Sequence, residues 1–191
     1  MRAAFLDRDG VVNIDRGYVH RWEEFEFVPG AAQAMARLQR AGWRLVIVTN
    51  QSGIARGYFN EAQFQALTGR MLQALAEAGV DAAAVAVYHC PHHPHGRVPT
   101  LAVDCDCRKP APGMILRAAA EHGLSLADSI LVGDKPSDIA AARLAGVGRA
   151  FLVHSDNPES VVALAKADVD AVFDKLTDCV DMLLSAADWA Q

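Results

Sequence analysis

The sequence lacks any apolar run approaching the roughly 20 residues that a membrane-spanning helix requires. Its opening segment, MRAAFLDRDG, passes from one Arg through a short apolar run to an acid, whereas a secretory signal needs a longer apolar stretch and a small-residue cleavage site. Positive charge is also limited, because 18 Lys and Arg stand against 23 Asp and Glu, giving a formal net charge of -5. We therefore expect a soluble cytoplasmic protein whose partner is neither nucleic acid nor membrane, although a local basic pocket is compatible with this charge.

Cysteine is scarce, and four cysteines among 191 residues do not make a disulfide scaffold. In a reducing compartment, clustered cysteines more often bind metal. Disorder is equally unsupported, because 52% of the residues are hydrophobic and only 21% are charged, which allows a sizeable core. A chain of this length favours one domain, so we expect a single domain over residues 1–191 and a monomer.

Short β-prone runs alternate with Ala-rich amphipathic segments along the chain. The predicted strands cover residues 2–6, 43–48, 83–88, 129–133, 149–153 and 169–173. The predicted helices cover residues 30–41, 61–78, a segment after Pro112, a segment from its N-cap Ser137 through Arg143, and the stretch from about Leu176 to Trp189. This alternation predicts a Rossmann-like three-layer α/β sandwich around a mostly parallel sheet. Ligands of such sheets bind beyond the carboxyl ends of the strands, so Asp7, Thr49 and Asp134, which each follow a predicted strand, should meet in one crevice.

The first motif that carries chemistry is the acidic segment FLDRDG, residues 5–10. Two carboxylates two positions apart, directly after a buried strand, can act as a nucleophile that also binds metal and as an acid/base group. Asp7 and Asp9 are candidates for these two roles, and Gly10 lets the chain turn sharply. The alternative is a solvated acidic turn, which is the commoner fate of an isolated Asp-x-Asp pair.

Three further motifs supply groups that suit a phosphate. In VTNQSG, the Thr49 hydroxyl and the backbone N–H groups of the following loop could hold phosphate oxygens. In CRKP, Lys109 could neutralise a phosphoryl group while Arg108 grips a carboxylate or a second phosphate. LVGDKPSD places Asp134 after an apolar strand and Asp138 four positions later. Taken singly, these motifs are also compatible with a strand-exit turn, a solvated basic pair and a helix-capping acid.

A loop rich in Cys, His and Pro spans residues 90–107 and holds three of the four cysteines, Cys90, Cys105 and Cys107. A closed structural zinc site needs four ligands in a tetrahedron, with thiolate and imidazole preferred, so three Cys and one His would complete it. The spacing leaves the fourth ligand open. The candidates are His89, His92, His93 and His95. Chance clustering of reduced thiols is the alternative, and Cys179, which stands alone on the last predicted helix, is expected in the core.

Together, the motifs resemble the haloacid dehalogenase superfamily of phosphatases, in which DxD follows the first strand, Thr or Ser follows the second, and Lys and GDxxxD come later. Here they stand in that order across residues 5–138. The resemblance implies that Asp7 attacks phosphorus to form an aspartyl-phosphate. It also implies that Asp9 protonates the leaving alkoxide and then activates water. Thr49 and Lys109 would hold the phosphoryl oxygens.

The same resemblance implies a catalytic Mg²⁺. Its ligands would be the carboxylates of Asp7 and Asp134 and the backbone carbonyl of Asp9, because Mg²⁺ prefers hard oxygen ligands. Asp138 would be an orienting residue. The spacing between the motifs leaves little room for a large cap domain, so we expect an open active site.

A subgroup of these phosphatases carries Cys-x-His and Cys-x-Cys around a long loop, which resembles the loop at residues 90–107. The resemblance implies a structural Zn²⁺ with the ligands Cys90, His92, Cys105 and Cys107. The loop ends at Arg108 and Lys109, so the metal would fix two basic side chains over the active site. With four closing ligands it would take no part in the chemistry.

The match extends further within one family, the D-glycero-D-manno-heptose-1,7-bisphosphate 7-phosphatases. The segments that resemble this family are GYVH, TNQSGIARG, CPHHP, CDCRKP and GDK, and the resemblance fades after about residue 155. It implies hydrolysis of the C7 phosphate of a bisphosphorylated heptose to give heptose 1-phosphate. The substrate-binding residues that it implies are Asp15, Arg16, Gly17, Tyr18, Thr49, Asn50, Gln51, Ser52, Arg108, Lys109 and Lys135.

Two alternatives stay open at this point. Histidinol-phosphate phosphatases resemble the chain in the catalytic motifs and in the zinc loop, but their amine-bearing substrate should require an extra carboxylate where Arg108 stands. A zinc-stabilised binding module with inactive phosphatase machinery is disfavoured by the complete set of catalytic residues. Comparing turnover of heptose bisphosphate and histidinol phosphate separates the two enzymes, and phosphate release from either excludes the module.

Overall fold

Six parallel strands form one sheet at the centre of the molecule. The computed structural model describes residues 1–154 and 168–185. The strands are β1 Ala3–Leu6, β2 Arg44–Asn50, β3 Ala86–Cys90, β4 Ile130–Gly133, β5 Arg149–Val153 and β6 Ala171–Phe173, in the order β3-β2-β1-β4-β5-β6. Each neighbouring pair is parallel. The predicted α/β class is confirmed.

Helices cover both faces of this sheet. The α-helices in the described ranges are α1 Ala31–Arg40, α2 Glu61–Glu77, α3 Gly113–His122, α4 Pro136–Ala145 and α5 Leu176–Ser185. Short 3-10 helices lie at Trp22–Glu24, Ala82–Ala84 and Pro99–Leu101. One buried apolar cluster joins α1, α2 and α5 to one face of the sheet, and a second joins α3 and α4 to the other. The result is the three-layer sandwich that the alternation of elements predicts.

The central strand β1 shows why these segments form a sheet. Every residue of β1 is buried, and its side chains alternate between the two apolar clusters. Ala4 and Leu6 belong to one cluster, and Ala3 and Phe5 to the other. A parallel strand with helices on both faces needs such an unbroken apolar run.

The ends of β2 and β3 differ from the prediction in a way that matters for the site. The strand β2 continues through Thr49 and Asn50, which pair with the last two residues of β3. Strand β3 starts later than the predicted range 83–88, because Ala82–Ala84 form a 3-10 turn. The pairing with β2 carries β3 on to Cys90, so the first cysteine of the Cys–His loop is held by the sheet itself.

The N-terminus of α2 is capped at Asn60, as predicted. The Asn60 side chain accepts a hydrogen bond from the Gln63 N–H, and the Gln63 side chain accepts one from the Asn60 N–H, both at 2.9 Å. This reciprocal pair is a capping box. The apolar positions that predict the inner face of this helix are all buried: Phe64, Leu67, Met71 and Leu75.

The start of α4 differs from the prediction. Ser137 is predicted as its N-cap, but the helix begins at Pro136 with Lys135 as the N-cap. Proline is favoured at the first helical position because its φ is preset and its missing N–H has no partner to lose there. The Oδ2 atom of Asp138 accepts a hydrogen bond from the Lys135 N–H at 3.0 Å. This start places Lys135 and Asp138 on the wall of the active-site cleft.

The last helix, α5, packs its apolar face against the sheet, and Cys179 is buried there, as predicted. The remainder of the predicted helix, residues 186–189, lies outside the described residues. Among the helices of residues 1–154 and 168–185, none combines the length and hydrophobicity that a membrane crossing requires.

Candidate active site

The carboxyl ends of β1 and β4 bring together acids from distant parts of the chain. Asp7 follows β1, and its N–H donates to the Val132 carbonyl of β4 at 2.9 Å. Asp134 follows β4 and is fully buried. The carboxylates of Asp7, Asp134 and Asp138 place oxygens within 4.8 Å of one another, and all three residues are buried. The crevice expected from the parallel sheet is therefore lined by acids.

Two glycines permit this close approach. Gly10 has a φ of 94°, in the left-handed region, and a Cβ built on it would lie 2.4 Å from Asp134 Oδ2. A Cβ on Gly133 would lie 2.3 Å from the Asp138 Cβ. Any side chain at either position would push an acid out of the cluster.

Lys109 is the cation that pairs with two of these acids, Asp7 and Asp138. Its Nζ lies 2.8 Å from Asp7 Oδ1 and 2.6 Å from Asp138 Oδ1. The same atom donates to the Val48 carbonyl at 2.7 Å. The Asn50 side chain makes two hydrogen bonds to the Lys109 backbone. It accepts one from the N–H and donates one to the carbonyl, each at 3.0 Å. The end of the Cys–His loop is thereby fixed against the end of β2.

Burial and neighbouring charges both shift the pKa values of Asp7 and Lys109. Burial raises the pKa of Asp7 to about 6, with Lys109 opposing this shift and Asp138 adding to it. Burial would lower the pKa of Lys109, but the attraction of Asp138 and Asp7 outweighs it and raises that pKa above its ordinary value. Lys109 is therefore charged, and the negative charge of Asp7 is disfavoured by its burial and by the neighbouring Asp138. A divalent cation beside Asp7 would stabilise that charge.

The acidic cluster has the donor set that suits Mg²⁺. Asp7 and Asp134 supply carboxylate oxygens, the hard ligands that Mg²⁺ prefers, at the rim of the sheet. Asp138 is already engaged by the Lys109 ammonium and the Lys135 N–H. That engagement fits the orienting role expected of it. The backbone carbonyl of Asp9 stays a prediction as the third ligand.

Asp9 is held by three donors. Arg8 Nη2 contacts both carboxylate oxygens at 2.9 Å, and the side-chain amides of Asn13 and Gln51 each donate at 3.0 Å. Burial alone would raise the pKa of Asp9, but the Arg8 charge and these hydrogen bonds lower it below its usual range. Gln51 also donates to Thr49 Oγ1 at 2.8 Å. The predicted acid/base group is thus linked to the predicted phosphate-binding hydroxyl.

Two adjoining cavities collect these groups. A narrow cleft of about 40 Å³ is lined by Asp7, Asp9, Thr49, Asn50, Lys109, Lys135, Ser137 and Asp138. A larger cavity of about 550 Å³ shares part of this wall and is lined by Asp9, Asp15, Gly17, Tyr18, Asn50, Gln51, Ser52, Gly53, Arg56, Arg108, Lys109, Pro110, Lys135 and Ser137. The predicted catalytic residues all face the narrow cleft, and the larger cavity has the size of a small-molecule site.

All but one of the predicted substrate-binding residues line one of the two cavities. All except Thr49 and Arg16 line the larger cavity, and Thr49 lines the cleft beside it. Lys135 reaches into the same region, where its Nζ lies 3.1 Å from Asp15 Oδ2. Arg16 lines neither cavity. Its side chain is 55% exposed and pairs with Glu26 on the surface. Substrate binding by Arg16 stays a prediction without a cavity contact.

Two arginines at the site are missing from the sequence prediction. Arg56 lines the larger cavity. It stands four positions after Ser52 in the NQSGIARG segment. Its position within that motif was the available signal. Arg8, which stands between Asp7 and Asp9 in the sequence, is buried and holds Asp9. Its place inside the DxD motif was a signal too, but a surface orientation is the ordinary expectation for arginine.

The Cys–His loop closes into a compact cluster of four ligand atoms. The Sγ of Cys107 lies 3.0 Å from that of Cys90 and 3.3 Å from that of Cys105, and the Cys90 and Cys105 sulfurs are 3.5 Å apart. The Nδ1 of His92 lies 3.3 Å from Cys107 Sγ and 3.7 Å from Cys90 Sγ. Zinc–sulfur bonds of about 2.3 Å give tetrahedral edges of roughly 3.8 Å, so the cluster is close to that size. Its donor set is compatible with Zn²⁺.

The structure favours His92 among the four candidate histidines. It is the histidine whose ring nitrogen joins the three thiols. The ring of His89 instead lies 3.0 Å from Glu61 Oε2, and that of His93 lies 2.9 Å from Arg56 Nη2. The His95 backbone N–H donates to the His93 ring at 3.1 Å, within the same loop.

Known proteins resemble this chain in sequence and in fold. Residues 106–179 match the HAD-hydrolase-like family model. The chain is 48% identical over 176 residues to the D-glycero-beta-D-manno-heptose-1,7-bisphosphate 7-phosphatase of Yersinia pestis, which covers 92% of each chain. The chain belongs to the D-glycero-D-manno-heptose-1,7-bisphosphate 7-phosphatase family. This family lies within the haloacid dehalogenase superfamily that the motifs resemble.

Other members of the heptose-bisphosphate phosphatase family extend the comparison. The D-glycero-alpha-D-manno-heptose-1,7-bisphosphate 7-phosphatase of Photorhabdus laumondii is 46% identical over 160 residues, covering 84% of this chain and 86% of its own. Relatives named for either anomer thus stand at similar identity. The crystal structure of D,D-heptose 1,7-bisphosphate phosphatase from B. bronchiseptica, complexed with magnesium and phosphate, has a TM-score of 0.83 and 37% identity and covers 97% of this chain and 99% of that one.

Proposed function

We propose that the protein hydrolyses the C7 phosphate of D-glycero-D-manno-heptose 1,7-bisphosphate and releases heptose 1-phosphate. Family membership supports this substrate. The observation that carries the reaction is the placement of Asp7 against Lys109 in the narrow cleft, with the buried carboxylate of Asp134 beside it. The adjoining cavity of about 550 Å³ offers space for the sugar.

Asp7 is the proposed nucleophile. One of its carboxylate oxygens attacks phosphorus while the bond between phosphorus and the C7 oxygen breaks, and Asp7 then carries the phosphoryl group. Lys109, 2.8 Å from Asp7, neutralises part of the charge where the carboxylate and the phosphate meet. The hydroxyl of Thr49, on the wall of the same cleft, is the proposed donor to a phosphoryl oxygen.

Asp9 is the proposed acid/base group. It donates a proton to the departing C7 oxygen, then takes a proton from the water that attacks phosphorus and restores the free Asp7 carboxylate. In the geometry seen here, Arg8 and the two amides lower the pKa of Asp9, which suits the second step. A phosphate dianion beside Asp9 raises the pKa of its carboxyl, because like charges disfavour ionisation, and this suits the first step.

Mg²⁺ is the proposed catalytic metal, held by the Asp7 and Asp134 carboxylates and the Asp9 backbone carbonyl. When bound, it would screen the phosphate charge so that a carboxylate can approach. The family structure complexed with magnesium and phosphate supports this choice of ion. Zn²⁺ is the proposed structural metal of Cys90, His92, Cys105 and Cys107. We also propose a monomer, testable by light scattering.

Histidinol phosphate is the less favoured substrate. An amine needs a carboxylate partner, and the carboxylates lining the larger cavity are Asp9 and Asp15. Both are engaged, Asp9 by Arg8 and Asp15 by Lys135. Arg56 and Arg108, in contrast, place positive charge on the wall of the same cavity.

A phosphate-release assay tests the proposal. The substrates are both anomers of heptose 1,7-bisphosphate, fructose 1,6-bisphosphate and histidinol phosphate, each with and without Mg²⁺. We expect the highest kcat/KM for a heptose bisphosphate and loss of turnover without the metal. A preference for histidinol phosphate, or full turnover after Mg²⁺ removal, would contradict it.

A further inference from the structure

Two exposed tyrosine rings contact each other at the edge of the larger cavity. Of the Phe, Tyr and Trp side chains in the described ranges, only Tyr18 and Tyr58 are exposed, at 46% and 49%. Their rings meet edge to face, with centroids 4.7 Å apart and planes at 73°. Tyr18 lines the larger cavity, whereas Tyr58 lies outside it. The one exposed ring that reaches the cavity is therefore held by the other.

The backbone of Tyr18 is held in an unusual conformation. Its φ is 55°, and within the described residues no other non-glycine residue has a positive φ. The Gly17 N–H before it donates to Asp15 Oδ1 at 2.9 Å, and the His20 Nδ1 lies 2.8 Å from the Tyr18 carbonyl oxygen. Such conformations persist only where surrounding contacts enforce them, and they concentrate at ligand sites. These contacts fix the backbone of the turn, but the direction of the exposed Tyr18 ring depends on its own contacts.

A second ring contact joins the same two segments. The rings of His20 and Phe59 are stacked, with centroids 4.9 Å apart and planes at 4°. Phe59 is buried against Gly53, where an added Cβ would lie 2.2 Å from the Phe59 ring. The Tyr58 N–H donates to the Gly53 carbonyl at 2.9 Å. Because Gly53 lines the larger cavity, these contacts fix the position of Tyr58 relative to the cavity wall.

We propose that Tyr58 is a positioning residue for the sugar: its ring holds the Tyr18 ring at the edge of the larger cavity, where Tyr18 contacts the substrate. A side chain that is free to rotate loses that freedom when a ligand binds, whereas a ring already held by a neighbour loses less. Tyr58 therefore increases affinity for the sugar without touching the reacting atoms. The inference rests on the proposed function.

The test separates KM from kcat in variants of Tyr58. Tyr58→Ala removes the ring, and we expect KM for heptose 1,7-bisphosphate to rise about 3- to 10-fold with kcat unchanged, the size of effect expected from the loss of one aromatic pair. Inhibition by inorganic phosphate, which needs only the narrow cleft, should not change. Tyr58→Phe keeps the ring and should have the wild-type KM.

Leu144→Ala is the control for loss of an exposed apolar side chain. Leu144 lies on α4, is 66% exposed and lines neither cavity of the active site. We expect it to leave KM and kcat unchanged. A rise in KM for this variant equal to that of Tyr58→Ala would contradict a specific role for Tyr58.

A double variant shows whether Tyr58 acts through Tyr18. Tyr18→Ala should raise KM at least as much as Tyr58→Ala does. Adding Tyr58→Ala to the Tyr18 variant should then raise KM no further, because the contact between the rings is already lost. If the two substitutions instead multiply their effects on KM, Tyr58 acts independently of Tyr18 and the proposal is wrong.

The alternative is that Tyr58 only stabilises the surface of its loop. In that case Tyr58→Ala lowers the Tm and leaves KM at the wild-type value, or it raises KM and the inhibition constant of inorganic phosphate by the same factor. Either result would overturn the positioning role. A KM increase in Tyr58→Phe as large as that in Tyr58→Ala would also overturn it, because the ring contact would then not be the cause.

The wild-type protein separates this inference from the proposed function. If it does not hydrolyse heptose 1,7-bisphosphate, the proposed function fails, and the sugar contact of Tyr18 fails with it. If it hydrolyses this substrate but Tyr58→Ala keeps the wild-type KM, the proposed function stands and the positioning role of Tyr58 is wrong.

Discussion

Within residues 1–154 and 168–185, two clusters of side chains that could ligate a metal ion are built in opposite ways. The carboxylate cluster takes Asp7 from the end of β1, Asp134 from the end of β4 and Asp138 from the first turn of α4, and all three are buried. The Cys–His cluster comes from the end of β3 and one following loop, and only Cys90 among its four members is buried. The first cluster exists because the sheet is assembled. The second needs the end of one strand, which holds Cys90, and the closure of the loop that follows it.

The two clusters are joined at one place. Lys109 follows Cys107 by two residues and reaches Asp7, while Asn50 fixes the Lys109 backbone. We therefore expect the local cluster to help position Lys109, which contacts the long-range cluster. Disturbing either cluster should leave distinct signatures in activity, metal content and stability.

The largest effect is expected from breaking the carboxylate cluster at Asp7. Asp7→Asn removes the carboxylate that we propose as the nucleophile, so we expect kcat to fall by at least about 1,000-fold. Zinc content, measured by atomic emission, should be unchanged, because the Cys–His cluster does not include this residue. A variant that kept full phosphate release would show that another residue is the nucleophile.

Breaking the Cys–His cluster should have the next largest effect. Cys107→Ala removes one of four ligands, and we expect loss of zinc together with a fall in kcat/KM of about 100-fold, since small displacements of catalytic groups cost this much. Cys179→Ala is the matched control, because Cys179 is buried in the α5 core outside the cluster. It should lower the Tm modestly and keep both zinc and kcat/KM. Unchanged kcat/KM in the zinc-free Cys107 variant would show that the cluster does not position Lys109.

A smaller and purely geometric change tests how tightly the carboxylate cluster is packed. Gly10→Ala adds a Cβ that would lie 2.4 Å from Asp134 Oδ2. It also puts an alanine at a left-handed φ, which is unfavourable for any residue with a side chain. We expect a loss of about 1–3 kcal/mol in the free energy of unfolding and a higher Mg²⁺ requirement for activity. Denaturant titration measures the free energy of unfolding, and activity as a function of Mg²⁺ concentration measures the Mg²⁺ requirement.

Gly69→Ala is the matched control for that substitution. Gly69 lies within α2, and a Cβ there meets nothing within 4 Å. Because alanine favours the helix, we expect a gain of roughly 0.5–1 kcal/mol and an unchanged Mg²⁺ requirement. Equal stability losses in the two glycine variants would argue against the tight contact between Gly10 and Asp134.

The smallest effect is expected where the two clusters are joined. Asn50→Ala removes both hydrogen bonds to the Lys109 backbone, each 3.0 Å long. We expect kcat/KM to fall about 3- to 10-fold with zinc retained, because the Lys109 ion pairs remain. Asn60→Ala is the control: it removes the α2 cap at a cost of about 1 kcal/mol in stability but should leave kcat/KM unchanged. A loss of zinc in Asn50→Ala would mean that the junction supports the Cys–His cluster itself.

The sequence by itself determined the alternation of strands and helices and the position of Asp7 and Asp134 at strand ends. These follow from apolar runs and helix periodicity, which act over a few residues. The sequence also predicted that the three thiols of the Cys–His loop would cluster, because they lie within one loop. The spacing left four neighbouring histidines open, and the family resemblance implied His92. The tertiary structure brings the His92 ring to the three thiols, because a ring's direction depends on partners such as Glu61 and Arg56.

Several site features depended on packing between distant segments, which no local pattern encodes. The fold decided that Arg56 enters the cavity while Arg16 pairs with Glu26 on the surface. It also decided that Asp138 meets Lys109. Local propensities specify where a strand or helix forms, but distances between side chains arise only when buried surfaces from remote segments come together and exclude water.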